Sequence, residues 1–108
     1  MIKEGRRRRY IGFVVSNTDD LNISKDDMIH AIRKKCKELY KDRCKKMGIF
    51  LVRFDGFKGI TRCKNIEKDN VINLMNSIDT IDSKKVKIKT IGTSGTIKSL
   101  IKKHFTNN

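Results

Sequence analysis

The 108-residue chain contains no proline, which excludes a proline-rich linker. Long apolar runs are also absent. None approaches the ~18–20 uncharged residues that a bilayer span needs, so we expect no membrane-spanning segment and no membrane partner. The basic residues Arg6–Arg9 lead into only a short apolar run. That pattern does not fit a secretory signal peptide.

Cysteine is scarce: Cys36, Cys44 and Cys63 are the only three, and none is part of a C-x-x-C pair. An odd number without that spacing argues against a disulfide framework and against a zinc site. Cys36 and Cys44 are expected on one helix, where their separation of eight residues rises about 12 Å. A disulfide needs Cα atoms within roughly 7 Å, so these two should not bridge. We therefore expect three buried, reduced thiols and a cytoplasmic location.

The residue clusters of common enzyme sites are missing too. Metal-dependent nucleases hold Mg²⁺ with clustered carboxylates, whereas Asp26 and Asp27 are explained as a helix cap and the other acids are dispersed. His30 and His104 have no partners at ligand spacing. No Ser/His/Asp or Cys/His arrangement and no P-loop is present, so we expect no catalytic residue, no metal site and no bound cofactor.

Positive charge is what the chain has in excess. It carries 26 Lys and Arg residues against 12 Asp and Glu residues, a formal net charge of +14. A domain this basic most often binds a polyanion, and nucleic acid is the commonest one. Seven lysines and no acidic residue follow Asp82. This imbalance favours phosphate contacts over a merely solvated surface.

The candidate RNA-contacting residues come from several parts of the chain. They include a flexible basic arm over residues 1–8, an i, i+4, i+8 lysine row on the first helix, and a cationic face of the last strand. The turn Gly92–Thr96 should also offer backbone N–H groups and a helix N-terminus to a phosphate. The row could instead be a solvated face, and the turn a simple cap. The candidates are Arg6, Arg7, Arg8, Arg9, Lys34, Lys37, Lys41, Lys45, Arg62, Lys85, Lys87, Lys89, Ser94, Gly95, Thr96, Lys98, Lys102 and Lys103.

Hydrophobic periodicity predicts the element order β-α-β-β-α-β-α. With right-handed crossovers this order gives an α+β, ferredoxin-like or RRM-like split βαββαβ antiparallel sheet in the spatial order 4-1-3-2. Two helices should cover one face, and the C-terminal helix should cover the other. Residues 9–108 would form this single domain. The predicted elements are Arg9–Ser16, Ser24–Met47, Ile49–Asp55, Ile60–Lys64, Ile66–Ile78, Lys85–Ile91 and Thr96–Phe105.

The second strand is expected at an edge of the sheet, and it is long, apolar and almost uncharged. Such an edge is a liability unless something covers it. We predict a protein interface through Ile49, Leu51 and Arg53, with self-association as a further possibility. Cover by a loop or helix of the same chain is the alternative.

The third strand, Ile60–Cys63, contains no aromatic residue. RRM modules stack bases on aromatics there, so backbone and shape recognition fits this chain better than base stacking. Two other functions stay open: a stand-alone RRM-like module that binds single-stranded RNA, and a small ferredoxin-like enzyme such as an acylphosphatase.

The order and spacing of three segments are specific. The segments are Arg8–Phe13, Val52–Gly56 with Gly59–Cys63, and Gly92–Lys98, and together they resemble protein component 2 of archaeal/eukaryotic-type ribonuclease P. The resemblance extends from about residue 7 to residue 103. The chain departs from the family pattern at Gly12, where alanine or valine is usual, and at Thr93, where an apolar residue is usual.

The resemblance implies a non-catalytic protein subunit of a ribonucleoprotein that removes the 5′ leader from precursor tRNA. In that family the RNA subunit performs the hydrolysis with Mg²⁺, and the protein itself needs no cofactor. The implied partners are the ribonuclease P RNA, the TIM-barrel-like protein component 3 and other ribonuclease P proteins. Precursor tRNA would be the substrate of the whole endoribonuclease.

Overall fold

The structure is a computed structural model that describes residues 7–17 and 23–105. Short 3₁₀ segments follow α1 and precede α2, at Lys41–Lys46 and Asn65–Glu67, and a wider turn, Ile101–Phe105, follows α3. No described helix combines the length and apolar character needed to cross a bilayer. The regular elements are β1 (Arg8–Asn17), α1 (Lys25–Tyr40), β2 (Phe50–Phe54), β3 (Lys58–Lys64), α2 (Lys68–Ser77), β4 (Thr80–Ile81), β5 (Lys84–Ser94) and α3 (Ile97–Leu100).

The strands form one antiparallel sheet in the order β2-β3-β1-β5-β4. The four longer strands reproduce the predicted 4-1-3-2 order, so the ferredoxin-like α+β fold is confirmed. The two-residue strand β4 was not predicted. It pairs Thr80 with Lys85 and Ile81 with Lys84, which extends the sheet beyond β5.

β1 lies at the centre of the sheet because both of its faces find apolar cover. Ile11 and Phe13 are fully buried in the main core, where α1 and α2 pack. On the other face Gly12 pairs with Ile60 of β3. Ile60 is fully buried outside that main core, and so is Leu100 of α3. The predicted second cover by the C-terminal segment is therefore present.

α1 begins where the sequence indicates, because the backbone N–H of Asp27 donates to Ser24 Oγ at 3.1 Å. It ends at Tyr40, seven residues earlier than predicted. The next residue, Lys41, has a left-handed φ of 51°, and the chain turns there into the first 3₁₀ segment. The break is held by a tertiary contact, since the Tyr40 hydroxyl donates to the backbone carbonyl of Asn70 at 3.1 Å.

That break brings Cys36 and Cys44 into a disulfide, with Cα atoms 5.7 Å apart. The prediction that these residues cannot bridge is wrong, because it assumed one continuous helix between them. Cys63 is the free thiol, and it is buried as predicted. The disulfide fastens the 3₁₀ segment to the last turns of α1.

Removing this disulfide should lower the free energy of unfolding by about 2 kcal/mol, because closing a loop of this length restricts the unfolded chain by about that amount. Cys44→Ser should therefore lower the urea midpoint of the oxidised protein. Dithiothreitol should lower the wild-type midpoint by the same amount and leave that of the variant unchanged. Three titratable thiols in the unfolded, oxidised wild type would contradict the bond.

The two chain ends differ in detail from the prediction. β1 begins at Arg8, and the carbonyl of Arg7 accepts a hydrogen bond from the Asn65 N–H at 2.9 Å. These two arginines thus join the folded domain, while residues 1–6 of the predicted arm, including Arg6, lie outside the described residues. The expected helix Thr96–Phe105 is one α-helical turn followed by the wider turn.

Candidate nucleic-acid interface

The sheet presents its second face, which we call the open face, on the side away from α1 and α2. Side chains two residues apart on a strand share a face. In β5, Val86 and Ile88 are buried, whereas the lysines that alternate with them are exposed. The predicted cationic face of this strand is present, and its members are Lys85, Lys87 and Lys89.

Positive charge continues across the open face. The strand register places Lys89 of β5 and Lys58 of β3 on either side of Val14 in β1. At the start of β1, Arg8 is exposed and pairs in register with Lys64 of β3. The open face therefore carries cations on the central strand β1 and on the two strands that flank it, β3 and β5.

No strand of the sheet contains an acidic residue, and neither do α3 and the turn after it. The described carboxylates lie instead on the helical layer or in connecting turns. Asp55 lies in the turn between β2 and β3. It accepts the backbone N–H groups of Phe57 at 2.9 Å and Lys58 at 2.7 Å. The Lys58 bond is the main cause that lowers the pKa of Asp55, so this carboxylate stabilises the β2–β3 turn.

Arg62 and Arg9 hold their guanidinium groups against the protein. The Arg62 guanidinium lies over the Phe50 ring, 4.9 Å from its centroid, a cation–π contact that fixes its position. Arg9 is half-buried, and its Nη1 lies 3.7 Å from where a Cβ on Gly95 would stand. The Nε atoms of both arginines are buried without a hydrogen-bond partner.

The predicted lysine row on the first helix does not exist as one helical face. Lys37 belongs to α1, Lys41 to the left-handed break, and Lys45 to the 3₁₀ segment. All three are exposed, as is Lys34. Lys34, Lys37 and Lys45 line a groove between α1 and β2 that Lys41 does not reach. Lys34 and Lys37 therefore lie on the helical side of the molecule because α1 does, and the segment after the break brings Lys45 to the same groove.

The predicted phosphate-binding turn is only partly a turn. Gly92 is in β5, paired with Gly12, and a Cβ at Gly92 would overlap the His104 ring. Only glycine leaves room here for the close approach of the segment after α3. Gly95 is exposed but has no left-handed φ. The Gly92–Gly95 stretch therefore lacks the turn conformation that the sequence predicts, while its contact with an RNA phosphate stays a prediction.

The polar residues of the same turn bind backbone groups. Thr96 is the N-cap of α3, since its Oγ1 accepts the Ser99 N–H at 3.1 Å. Ser94 is buried, and its Oγ accepts the N–H of Thr96 at 3.4 Å. The cap is thus Thr96 rather than Ser94. The lysines that follow are exposed where the segment lies over the sheet, and they are Lys98, Lys102 and Lys103.

β2 is an edge strand, as predicted, but its candidate interface residues separate. Leu51 is 5 % exposed and belongs to the core, which corrects its assignment to a surface. Ile49 is half-buried beside it. The ladder is irregular between Leu51 and Arg53, and Arg53 pairs with Ile60 on the open face. Ile49 and Arg53 therefore lie on opposite faces of the sheet.

Sequence reasoning missed a buried ionic cluster beneath the break in α1. Glu67 is 6 % exposed, and both of its carboxylate oxygens accept from Arg43 Nη2, at 2.9 and 3.0 Å. Asn70 donates to Glu67 Oε1 at 2.9 Å. Burial, with a smaller effect of the Glu67 charge, raises the pKa of the Cys63 thiol to about 11. These groups hold the 3₁₀ segment against α2, and no spacing in the sequence signals them.

The described residues contain no group of histidines, cysteines and carboxylates that could hold a metal ion. The chemistry that the open face does offer is a broad cationic surface on which the Phe50 ring holds the Arg62 guanidinium. Such a surface contacts phosphates and does not read base edges.

Comparisons with known proteins agree on one group. The profile of the Rpp14/Pop5 family matches residues 9–105. A "Ribonuclease P protein component 2" from Archaeoglobus fulgidus is 30% identical over 99 residues, which cover 92% of this chain and 89% of the relative. Another of that name, from Pyrococcus furiosus, is 34% identical over 100 residues, which cover 90% of this chain and 82% of the relative.

A solved structure shares the fold. A chain in a cryo-EM structure of yeast ribonuclease MRP superposes with a TM-score of 0.73 at 13% sequence identity. The match covers 88% of this chain and 79% of that one.

Proposed function

Because the chain belongs to the Rpp14/Pop5 family, as a ribonuclease P protein subunit of the archaeal/eukaryotic type, we propose that it binds the RNA subunit through its open face. The RNA so held removes the 5′ leader from precursor tRNA. The observation that carries this proposal is the segregation of charge, with acid-free strands and α3 and a row of exposed lysines on β5.

The role of each group follows from its geometry. Lys85, Lys87 and Lys89 are mobile cations that follow an RNA backbone, and phosphate contacts of this kind supply affinity and position without base specificity. Arg62 is oriented by the Phe50 ring and offers its remaining donors to a phosphate. Lys98, Lys102 and Lys103 extend the same surface. Arg8 extends it at the start of β1, whereas Arg9 lies on the opposite face of that strand, in register with the buried Cys63.

The subunit acts as a scaffold in this proposal. The hydrolysis belongs to the RNA subunit and its Mg²⁺, and this chain contributes cations that reduce repulsion between closely packed RNA phosphates. Protein component 3 and other ribonuclease P proteins are its protein partners. No specific contact in the described part of the chain favours a stand-alone stacking module, because β3 has no aromatic side chain.

The test is to recover the complex from the cell in which the chain occurs. A tagged copy, expressed at its natural level, should co-purify with one structured RNA and with precursor tRNAs that retain 5′ leaders, identified by RNA sequencing. The tagged chain with Lys85, Lys87 and Lys89 changed to Gln is the matched control and should lose most of both. Recovery of many unrelated RNAs in equal proportion would contradict a dedicated ribonuclease P role.

A further inference from the structure

A groove of about 660 Å³ runs between α1 and β2 on the helical side of the molecule. Its apolar lining comes from both elements and includes Ile29, Ile32, Ile49 and Leu51. Phe50 also borders it, although its ring lies on the open face against Arg62. An apolar concavity of this kind is typical of an interaction site.

The rim of the groove is cationic. Arg33, Lys34, Lys37 and Lys45 line it, all four are exposed, and no carboxylate is among the lining residues. None of these four side chains belongs to an ion pair among the described residues. The nearby pair on α1 joins Lys35 to Glu38 instead. The rim therefore complements a negatively charged occupant.

The strand that forms one wall is an edge. β2 pairs only with β3 in the described sheet, so its outer backbone groups face away from the ladder. An extended peptide can add to such an edge, with backbone hydrogen bonds for affinity and a groove for alternate side chains. The irregularity at Val52 separates the part of β2 beside the groove from Arg53 and Phe54, which pair with Ile60 and Gly59.

We infer that this groove binds an extended, acidic peptide segment of a partner protein, which pairs with the β2 edge near Ile49–Leu51. The observations favour a peptide over RNA, because only a peptide backbone supplies the alternating N–H and C=O groups that pair with the strand edge. Lys34, Lys37 and Lys45, candidates for RNA contact from the sequence, then contact protein carboxylates instead. The inference rests on the proposed function, in which the chain works beside other protein subunits.

The probe is a short fluorescein-labelled peptide with a valine centre flanked by glutamates, titrated into the ¹⁵N-labelled full chain. Binding should be saturable, and the amides of Ile49–Leu51 should shift and exchange more slowly. Lys34→Glu combined with Lys37→Glu should weaken peptide binding about tenfold or more. Lys25→Glu combined with Lys41→Glu, an equal change of net charge outside the groove, should weaken it much less.

The other outcomes overturn the inference. Equal binding of a control peptide, in which lysines replace the glutamates, would show that charge complementarity does not drive binding. Absence of saturable binding would show that the groove is not a peptide-binding site. If short poly-uridylate shifts the same amides and loses more affinity in the groove variant than in the Lys25/Lys41 variant, the groove is a nucleic-acid site. Failure of the proposed function looks different: the ribonuclease P RNA would not bind the wild type, whatever the peptide does.

Discussion

Replacing Lys85, Lys87 and Lys89 together with glutamine is expected to weaken binding of the ribonuclease P RNA about 100-fold at low salt. Each lysine lost should remove one phosphate contact worth about 0.9 kcal/mol, and three such contacts give that factor. The value lies below the roughly 1.5–3 kcal/mol of a fully formed charge-assisted bond because exposed, mobile side chains stay partly solvated. The slope of log affinity against log salt should flatten by about 2 units, because fewer counterions are released. The side chains are exposed, so the melting temperature should hardly change.

A matched variant tests whether position matters or only net charge. Lys25, Lys41 and Lys46 are exposed lysines of the helical side, and changing them to glutamine removes the same charge. We expect a loss of only a few-fold from this variant, measured by filter binding at several salt concentrations. Equal losses from the two variants would mean that the open face has no special role.

A second large effect is expected from Gly59→Ala, in the fold itself. A Cβ at this position would stand 2.5 Å from Phe13 Cζ and 2.9 Å from the backbone carbonyl oxygen of Arg53. Phe13 is fully buried, so its ring has little room to move. Overpacking of this kind costs ~3 kcal/mol or more, and the melting temperature should fall by about 12–24 °C.

Gly95→Ala is the matched control for that variant. Its Cβ would meet only Arg9 Nη1, at 3.7 Å, and Gly95 has no left-handed φ. Its melting temperature should stay within a few degrees of the wild type. Phe13→Leu should cost less in the Gly59→Ala background than alone, a coupling that a double-mutant cycle measures. Equal melting temperatures of the two alanine variants would refute the close approach.

The sequence predicts the sheet well because its strands carry strong local signals. Alternation of apolar and charged residues in β5, and apolar residues on both sides of β1, determine which faces are covered and which strand is central. The predicted order and the capping of α1 by Ser24 are confirmed for the same reason. A family resemblance carried by Arg8–Phe13 and Gly92–Lys98 adds the function, which no periodicity could supply.

The failures have a different physical origin. α1 ends at Tyr40 because Tyr40 contacts Asn70 and Arg43 contacts Glu67, both distant in sequence. A disulfide between Cys36 and Cys44 then fastens the segment that follows. Helical periodicity continues past that point, so it predicted a lysine row and excluded the Cys36–Cys44 bond. Gly92 was likewise interpreted as a turn residue, although it is the place where a histidine packs on the sheet.

The separation of acidic from basic residues has a kinetic consequence. The described carboxylates lie on the helical layer and in the turns, whereas the strands carry cations alone, so charge is distributed unevenly across the thickness of the molecule. In the proposed complex, the field of the RNA would exert a torque on this distribution and turn the open face toward the RNA before any contact forms. Encounters in the wrong orientation become rarer, and the association rate should fall steeply as salt shortens the reach of that torque.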